Sequence, residues 1–205
     1  MIWIVKGGPV MIPIILGSIL GLAIIIYKLW ELFVVRIDAG QFTDSVISRV
    51  RAGRFDEAIG LCTKNIQYPI AATLKAGLEK SSLQPHEIEK ALERAGNTQV
   101  KMLEKYIGGL ISIIGIEPLL GFLGTITGLI KAFMVWESAG TNITVSQLAA
   151  GIYEAMITTA AGLIIAVPYY LVCNFIISRI KYVSYELSDS SMQLVEAISE
   201  TRQKI

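Results

Sequence analysis

The sequence predicts an all-α membrane protein, with three transmembrane helices and a cytoplasmic helical bundle. Hydrophobic residues make up 53% of the 205 residues and charged residues only 17%. The mean hydropathy of +0.58 is too high for an ordinary soluble domain of this length. Three apolar stretches are each long enough for a bilayer, whose hydrocarbon core of roughly 30 Å needs about 20 helical residues.

The first predicted span covers residues 10–35. Lys28, Trp30 and Arg36 close this stretch as residues at a membrane interface do. The apolar run is longer than that of a signal peptide, and no clear small-residue cleavage site follows it. We therefore expect a retained transmembrane anchor.

The distribution of Lys and Arg predicts the orientation of the spans. Twelve of these residues lie from Lys28 to Lys105 and four follow residue 177, whereas Lys6 and Lys131 are the only ones in the remaining parts of the chain. Positive residues favour the cytoplasmic side, so the N-terminus is predicted outside and the C-terminus inside. The predicted cytoplasmic segments are 36–106 and 178–205, and the predicted external segments are 1–9 and 136–148.

The insertion at 36–106 has the periodicity of amphipathic helices. Apolar residues recur at helical spacing at Phe55, Ala58, Ile59 and Cys62, and again at Ile70, Leu74 and Leu78. Pro85 suits the first turn of a helix that has no obvious stop signal before the second span at 107–135. We therefore expect one long helix from Pro85 to Val135. The tail at 178–205 repeats the apolar spacing and is expected to pack on the insertion.

The third predicted span, 149–177, contains a single charged residue, Glu154. A charged side chain at the centre of a bilayer costs about 3 kcal/mol on insertion scales, so an intramembrane carboxylate is expected to face protein or water. Such a carboxyl group can carry a proton, and we interpret Glu154 as a functional residue. The alternative is a protonated Glu that only hydrogen-bonds a neighbouring helix.

Threonine residues accompany Glu154 in the apolar helices. In an ideal helix Thr158 shares the face of Glu154, whereas Thr159 is turned about 140° away. Counting from the external turn puts Thr125 of the second span at a depth similar to that of Thr158, and two facing Thr-lined helices can hold a file of water. The alternative for each Thr is a hydrogen bond to its own helix backbone. Glu117 and Lys131, at the two ends of the second span, are expected to anchor it at the membrane surfaces.

Two segments carry a resemblance to a known family. Residues 117–133, EPLLGFLGTITGLIKAF, and residues 150–168, AGIYEAMITTAAGLIIAVP, are similar to the MotA/TolQ/ExbB proton channel family. The three-span layout and residues 54–59, RFDEAI, agree with it. The carboxylate within the third span indicates the ExbB/TolQ branch rather than the flagellar MotA branch, with an ExbB-like protein favoured.

The resemblance implies a proton pathway. The functional polar residues of the branch fall on Thr125, Glu154 and Thr159, so the resemblance ranks Thr159 above Thr158. It also implies a homo-oligomeric ring, a pentamer, around a dimer of single-span ExbD-like or TolR-like helices, each with a protonatable Asp. Force would pass through that partner to TonB or a TolA-like protein, in the inner membrane of a bacterium, and the family needs no cofactor.

Other functions are weighed against this one. A TolQ-type subunit of the Tol-Pal envelope-maintenance motor has the same second and third spans, and a non-conducting membrane scaffold is suggested by the GxxxG pair Gly17 and Gly21. An enzyme is a distant alternative because the insertion has no clustered nucleophile or Gly-rich phosphate loop. Cys62, Cys173 and the single His86 do not have metal-ligand spacing, and no basic patch for nucleic acid is present.

Overall fold

A computed structural model describes residues 6–34, 37–139 and 144–203 of the chain. Most of the described residues are helical, and none of them forms a β-strand. The helices are α1 (Met11–Val34), α2 (Ala39–Arg51), α3 (Phe55–Lys64), α4 (Pro69–Leu78), α5 (Pro85–Glu104), α6 (Ile107–Ala139) and α7 (Val145–Gln203). Three stretches are long and apolar enough to cross a membrane, namely Met11–Phe33, Pro85–Ser138 and Leu148–Arg202. The predicted fold class, an all-α protein with three membrane spans, is confirmed.

The chain divides into two compact units. The membrane unit comprises Met1–Lys28 and Tyr106–Phe175, and the bundle unit comprises Leu29–Lys105 and Ile176–Ile205. The membrane unit therefore contains most of α1, all of α6 and the first half of α7. Helix α7 runs without interruption from the apolar third span into the C-terminal tail.

The expectation of one helix from Pro85 to Val135 is wrong. Helix α5 ends at Glu104 and α6 begins at Ile107, with Tyr106 between them at a φ of 71°. This left-handed conformation is unfavourable for a residue with a Cβ atom. Within the membrane unit the Tyr106 ring packs edge-on against Tyr27, with ring centroids 5.9 Å apart, and this tertiary contact offsets part of the backbone cost.

The bundle unit has an apolar core built from α2 to α5 and the C-terminal part of α7. Asp38 caps α2 by accepting a hydrogen bond from the backbone N–H of Gln41 at 3.0 Å. The tail of α7 contributes Leu187, Leu194, Ala197 and Ile198 to the core. The Thr43 hydroxyl donates to Ser190 Oγ at 2.9 Å in the buried interface between α2 and α7. The tail is thus an integral part of the helical bundle.

The external turn predicted at 136–148 includes residues 140–143, which lie outside the described residues. Helices α6 and α7 flank these residues and run antiparallel, since positions progressively farther from the turn on one helix contact positions progressively farther from it on the other. This hairpin positions the candidate site.

Candidate functional site

Helices α6 and α7 approach each other at backbone contact. A Cβ atom placed on Gly128 would lie 2.7 Å from the carbonyl oxygen of Gly151, and one placed on Gly151 would lie 2.6 Å from the carbonyl oxygen of Gly128. Farther along the hairpin, a Cβ on Gly121 would lie 3.0 Å from the carbonyl oxygen of Thr158. The small residues are needed here because any side chain would force the two helices apart.

Thr125 of α6 and Thr159 of α7 meet across this close interface, and their hydroxyl groups are hydrogen-bonded to each other. The Thr159 hydroxyl oxygen also lies 3.1 Å from the carbonyl oxygen of Gly121 on α6 and 3.2 Å from that of Ala155 on its own helix, and its single proton can be donated to either. The Thr125 hydroxyl lies 3.4 Å from the same two carbonyl oxygens. The two hydroxyl groups and two carbonyl oxygens form a small polar network between helices that are otherwise apolar.

Thr158 occupies a different environment. Its side chain is fully buried beneath Gly124, where an added Cβ would lie 2.2 Å from Thr158 Oγ1. The hydroxyl donates to the backbone carbonyl oxygens of Glu154 at 3.0 Å and Ala155 at 2.9 Å. The structure therefore pairs Thr125 with Thr159. Thr158 instead bonds its own helix backbone, as in the alternative interpretation of these Thr residues.

Glu154 forms an ion pair with Lys131 of α6. The distance from Lys131 Nζ to Glu154 Oε1 is 2.5 Å, and the exposed fractions of the two side chains are 48% and 14%. Lys131, which is expected to anchor the external end of the span, thus also has its ammonium group bound to the intramembrane carboxylate. A cation at this distance lowers the electrostatic cost of placing a carboxylate in the membrane.

The backbone of Gly8 also lies close to the Glu154 carboxylate. A Cβ on Gly8 would lie 2.0 Å from Glu154 Oε1, and Gly8 has a φ of +68°. Both features favour glycine, because a side chain would displace the carboxylate and the backbone conformation is strained for other residues. Gly8, which precedes α1, thus forms part of the Glu154 site.

Glu117 is the polar residue of α6 that sequence reasoning placed wrongly. It was expected to anchor the cytoplasmic end of the span, but only 1% of it is exposed and it lies against α1 and α7. For the Lys131–Glu154 contact, by contrast, a sequence signal exists. Lys131 lies eight residues before the end of α6 and Glu154 nine residues after the start of α7, so an antiparallel hairpin brings them to the same depth.

The GxxxG pair of α1 packs inside the subunit. A Cβ on Gly17 would lie 2.1 Å from Glu117 Oε1, and one on Gly21 would lie 2.5 Å from a ring carbon of Tyr169. The Tyr169 hydroxyl donates to the backbone carbonyl oxygen of Ser18 at 2.7 Å. These contacts hold α1 against α6 and α7. The glycine pair therefore packs helices within one subunit.

No cluster of three or more His, Cys, Asp or Glu side chains that could hold a metal ion occurs in the part of the chain that the structure describes. In the bundle unit, burial raises the pKa of the Cys62 thiol to about 11, although the Lys75 ammonium opposes this change. A buried, protonated thiol of this kind is inert.

Comparisons with known proteins agree with this arrangement. The sequence model of the MotA/TolQ/ExbB proton channel family matches residues 65–189, which include α6, the Thr pair and Glu154. The chain is 34% identical over 188 residues to the putative biopolymer transport protein ExbB-like 1 of Synechocystis sp., an alignment that covers 84% of this chain and 68% of the relative.

The chain is also similar to two further relatives. The putative biopolymer transport protein ExbB-like 3 of Synechocystis sp. is 29% identical over 169 residues, covering 82% of this chain and 80% of the relative. The Tol-Pal system protein TolQ of Haemophilus influenzae is 31% identical over 97 residues, covering 47% of this chain and 42% of the relative. The two ExbB-like sequences of Synechocystis sp. thus align over more of the chain than this TolQ sequence does.

Proposed function

The chain belongs to the MotA/TolQ/ExbB proton channel family, as an ExbB-like multi-pass membrane protein, and from this membership we propose that it is the proton-channel subunit of an ExbB–ExbD type motor. The motor would use the proton motive force to energise TonB-dependent transport across the outer membrane. The observation that carries the proposal is the hydrogen-bonded pair Thr125–Thr159 in the same helix hairpin as the ion-paired Glu154.

The Thr pair is suited to exchange hydrogen bonds with a proton-carrying group. Each hydroxyl can donate one hydrogen bond and accept two, so the pair can bind a carboxyl group in its protonated or its ionised form. In the isolated subunit the two hydroxyl groups are engaged with each other. Binding of a partner carboxyl or a water molecule would open this bond, which couples occupancy of the site to the α6–α7 contact.

Glu154 and Lys131 supply the electrostatic part of the mechanism. While the pair is intact, the Lys131 ammonium group compensates the charge of the Glu154 carboxylate within the membrane. Separation of the two groups would leave the carboxylate without its cation, and uptake of a proton would then become favourable. A change in the Lys131–Glu154 contact is therefore a way to load and unload a proton.

The partner would be an ExbD-like single-span protein, which contributes an Asp to the path between neighbouring subunits. Copies of this chain would form a homo-oligomeric ring, a pentamer in the family, around a dimer of that partner. A proton entering from the outer side would neutralise the Asp, change which subunit it prefers, and leave on the cytoplasmic side. The partner would pass the resulting motion to TonB.

The protein would reside in the inner membrane of a bacterium, with its N-terminus outside and its C-terminus in the cytoplasm. The charge distribution supports this orientation, since the bundle unit and the tail carry most of the Lys and Arg residues. The Glu154 site would then lie toward the outer side of the hairpin, and the bundle unit would face the cytoplasm.

Proton flux into liposomes tests the proposal. Wild-type chain reconstituted with its ExbD-like partner is expected to conduct protons, and the double variant E154Q with T125A is expected to lose that conduction while still assembling. Equal flux in the wild type and the double variant would rule out the pathway. Normal assembly with no proton-dependent activity in the wild type would favour the membrane scaffold instead.

A TolQ-type role in Tol-Pal envelope maintenance is the second candidate, favoured by the 31% identity to the TolQ protein of Haemophilus influenzae. Gene-replacement strains separate the two roles. Restoration of TonB-dependent uptake in a strain lacking ExbB supports the first role, whereas restoration of envelope integrity in a strain lacking TolQ supports the second.

A further inference from the structure

Glu117 lies where three helices of the membrane unit meet. A Cβ on Gly17 of α1 would lie 2.1 Å from Glu117 Oε1, and one on Gly162 of α7 would lie 2.5 Å from the backbone carbonyl oxygen of Glu117. The residue is 1% exposed in the single chain. Association with further subunits can only reduce that exposure, so the burial is a property of the fold.

The Glu117 carboxyl group has no compensating charge. Its Oε2 atom is buried without a hydrogen-bond partner among the described residues. The apolar stretches that surround it, residues 11–27, 107–130 and 155–178, contain no other Asp, Glu, Lys, Arg or His. The titratable side chain packed on the same part of α1 is Tyr169, whose hydroxyl already donates to the Ser18 carbonyl oxygen at 2.7 Å.

Such surroundings favour a carboxyl group that holds a proton. An ionised carboxylate removed from water without a cation or a hydrogen-bond donor costs several kcal/mol, whereas a neutral carboxyl group costs far less. Pro118 follows Glu117 inside α6 and has no N–H, so the helix gives the carbonyl oxygen of Ile114 no donor. The same turn therefore offers an acceptor for a protonated carboxyl group.

The position of Glu117 along α6 relates it to the Thr pair. Glu117 precedes Thr125 by eight residues, or about 12 Å of helix, while Lys131 follows Thr125 on the other side. Glu117 and Lys131 thus put polar groups on both sides of the Thr pair. In the proposed orientation Glu117 lies between Thr125 and the cytoplasm.

We propose that Glu117 is a second proton-binding site of this subunit, which holds a proton in the resting chain and exchanges it during proton flux. The site lies at the junction of α1, α6 and α7, so loss of its proton is coupled to the packing of α1 on the hairpin. This inference rests on the proposed proton-conducting function.

Infrared spectroscopy of the reconstituted full chain tests proton binding. At neutral pH the wild type is expected to show the carbonyl band of a protonated carboxyl group, shifted in heavy water. That band is expected to disappear in E117Q and to persist in E154Q. If the wild type shows no such band, or if E117Q retains it, the proposal is overturned.

Proton flux with the ExbD-like partner tests the exchange step. E117Q is expected to lose flux, because its amide resembles the neutral carboxyl group in size but cannot release a proton. S18A is the matched control at the same junction, since Tyr169 bonds only the backbone of Ser18, and it is expected to keep wild-type flux. Wild-type flux in E117Q would overturn the exchange role even if the infrared band were lost.

A second variant guards against a folding defect. If E117Q does not assemble, E117D replaces it, since an Asp keeps the carboxyl group and is expected to shift the infrared band rather than remove it. An unshifted band in E117D would contradict the assignment. Failure of the proposed function is recognised separately, because E154Q would then conduct like the wild type whatever the result at Glu117.

Discussion

The ammonium group of Lys131 on α6 lies 2.5 Å from the Glu154 carboxylate on α7, within the segments that cross the membrane. The two residues are 23 positions apart in the sequence, and the antiparallel hairpin brings them together. The pair gives the intramembrane carboxylate a counter-ion from its own subunit. Removal of the Lys131 ammonium group is expected to change both stability and proton conduction, and the two effects can be measured separately.

A double-mutant cycle tests the ion pair. K131Q alone leaves Glu154 without its cation and is expected to lower the apparent Tm more than the double variant K131Q with E154Q. A coupling of about 1 kcal/mol is expected, since the pair is partly exposed. Thermal unfolding in detergent, followed by circular dichroism, provides the measurement.

The charge-reversed variant K131E with E154K is the control for that cycle. It keeps an ion pair at the same place, so stability should recover, but it moves the carboxylate from α7 to α6 and is expected to conduct protons poorly. If the single and double variants had additive effects on Tm, the ion pair would contribute nothing to stability.

The backbone contact between α6 and α7 predicts the effect of one methyl group. G151A would bring a Cβ to within 2.6 Å of the Gly128 carbonyl oxygen, and separation of the helices is expected to cost about 1–3 kcal/mol. G115A is the matched control on α6, because nothing lies within 4 Å of its added Cβ. Equal Tm values for the two variants would argue against the close hairpin.

The buried thiol of the bundle unit predicts a pH dependence. Burial raises the Cys62 pKa from 9.0 to about 11. The reactive thiolate form is therefore scarce at neutral pH, and its fraction increases as the pH approaches the raised pKa. In a C173A background, maleimide labelling of the folded protein is expected to be slow at pH 7 and to accelerate above pH 9. Circular dichroism over the same range checks that the fold persists, and rapid labelling at pH 7 would contradict the burial of Cys62.

The orientation predicted from charge can be tested with introduced cysteines. The chain used lacks Cys62 and Cys173. A maleimide that reaches the outer face of the inner membrane but cannot cross it is expected to label S138C, at the external end of α6, in cells whose inner membrane is intact. It should label H86C, in the bundle unit, only after the membrane is permeabilised. The opposite pattern would reverse the proposed topology.

Composition and hydropathy were sufficient to predict the fold class, because a 20-residue apolar helix is a local property of the sequence. The break at Tyr106 is not predictable from the sequence, because the residue with the left-handed backbone conformation is neither Gly nor Asn. In the structure this residue packs against Tyr27. Only tertiary contacts could reveal such a feature.

The site was predictable in part. Helical geometry alone favoured Thr158 as the partner of Glu154, whereas the family resemblance favoured Thr159, and the structure brings Thr159 to Thr125. The geometric argument considered one helix and asked which side chain shares the Glu154 face. The facing helix α6 determines which Thr has a polar partner. Thr158 is buried against Gly124, whereas the Thr159 hydroxyl group bonds that of Thr125.

The position of Glu117 was missed for a related reason. Hydropathy treats Glu near the end of an apolar stretch as a surface anchor, and only the contacts with Gly17 and Gly162 reveal its burial. The glycine pair on α1 was a usable signal, since it marks a surface that accepts a close neighbour.

Proton flux in T159V and T158V, each reconstituted with the ExbD-like partner, tests the central claim most directly. Both substitutions remove one hydroxyl group from adjacent residues of α7 and keep a branched side chain, so the variants differ chiefly in which hydrogen bonds they lose. The account predicts that T159V abolishes proton flux because it breaks the contact with Thr125, and that T158V keeps most of it. Equal flux in the two variants, or a greater loss in T158V, would contradict a proton path through the Thr125–Thr159 pair.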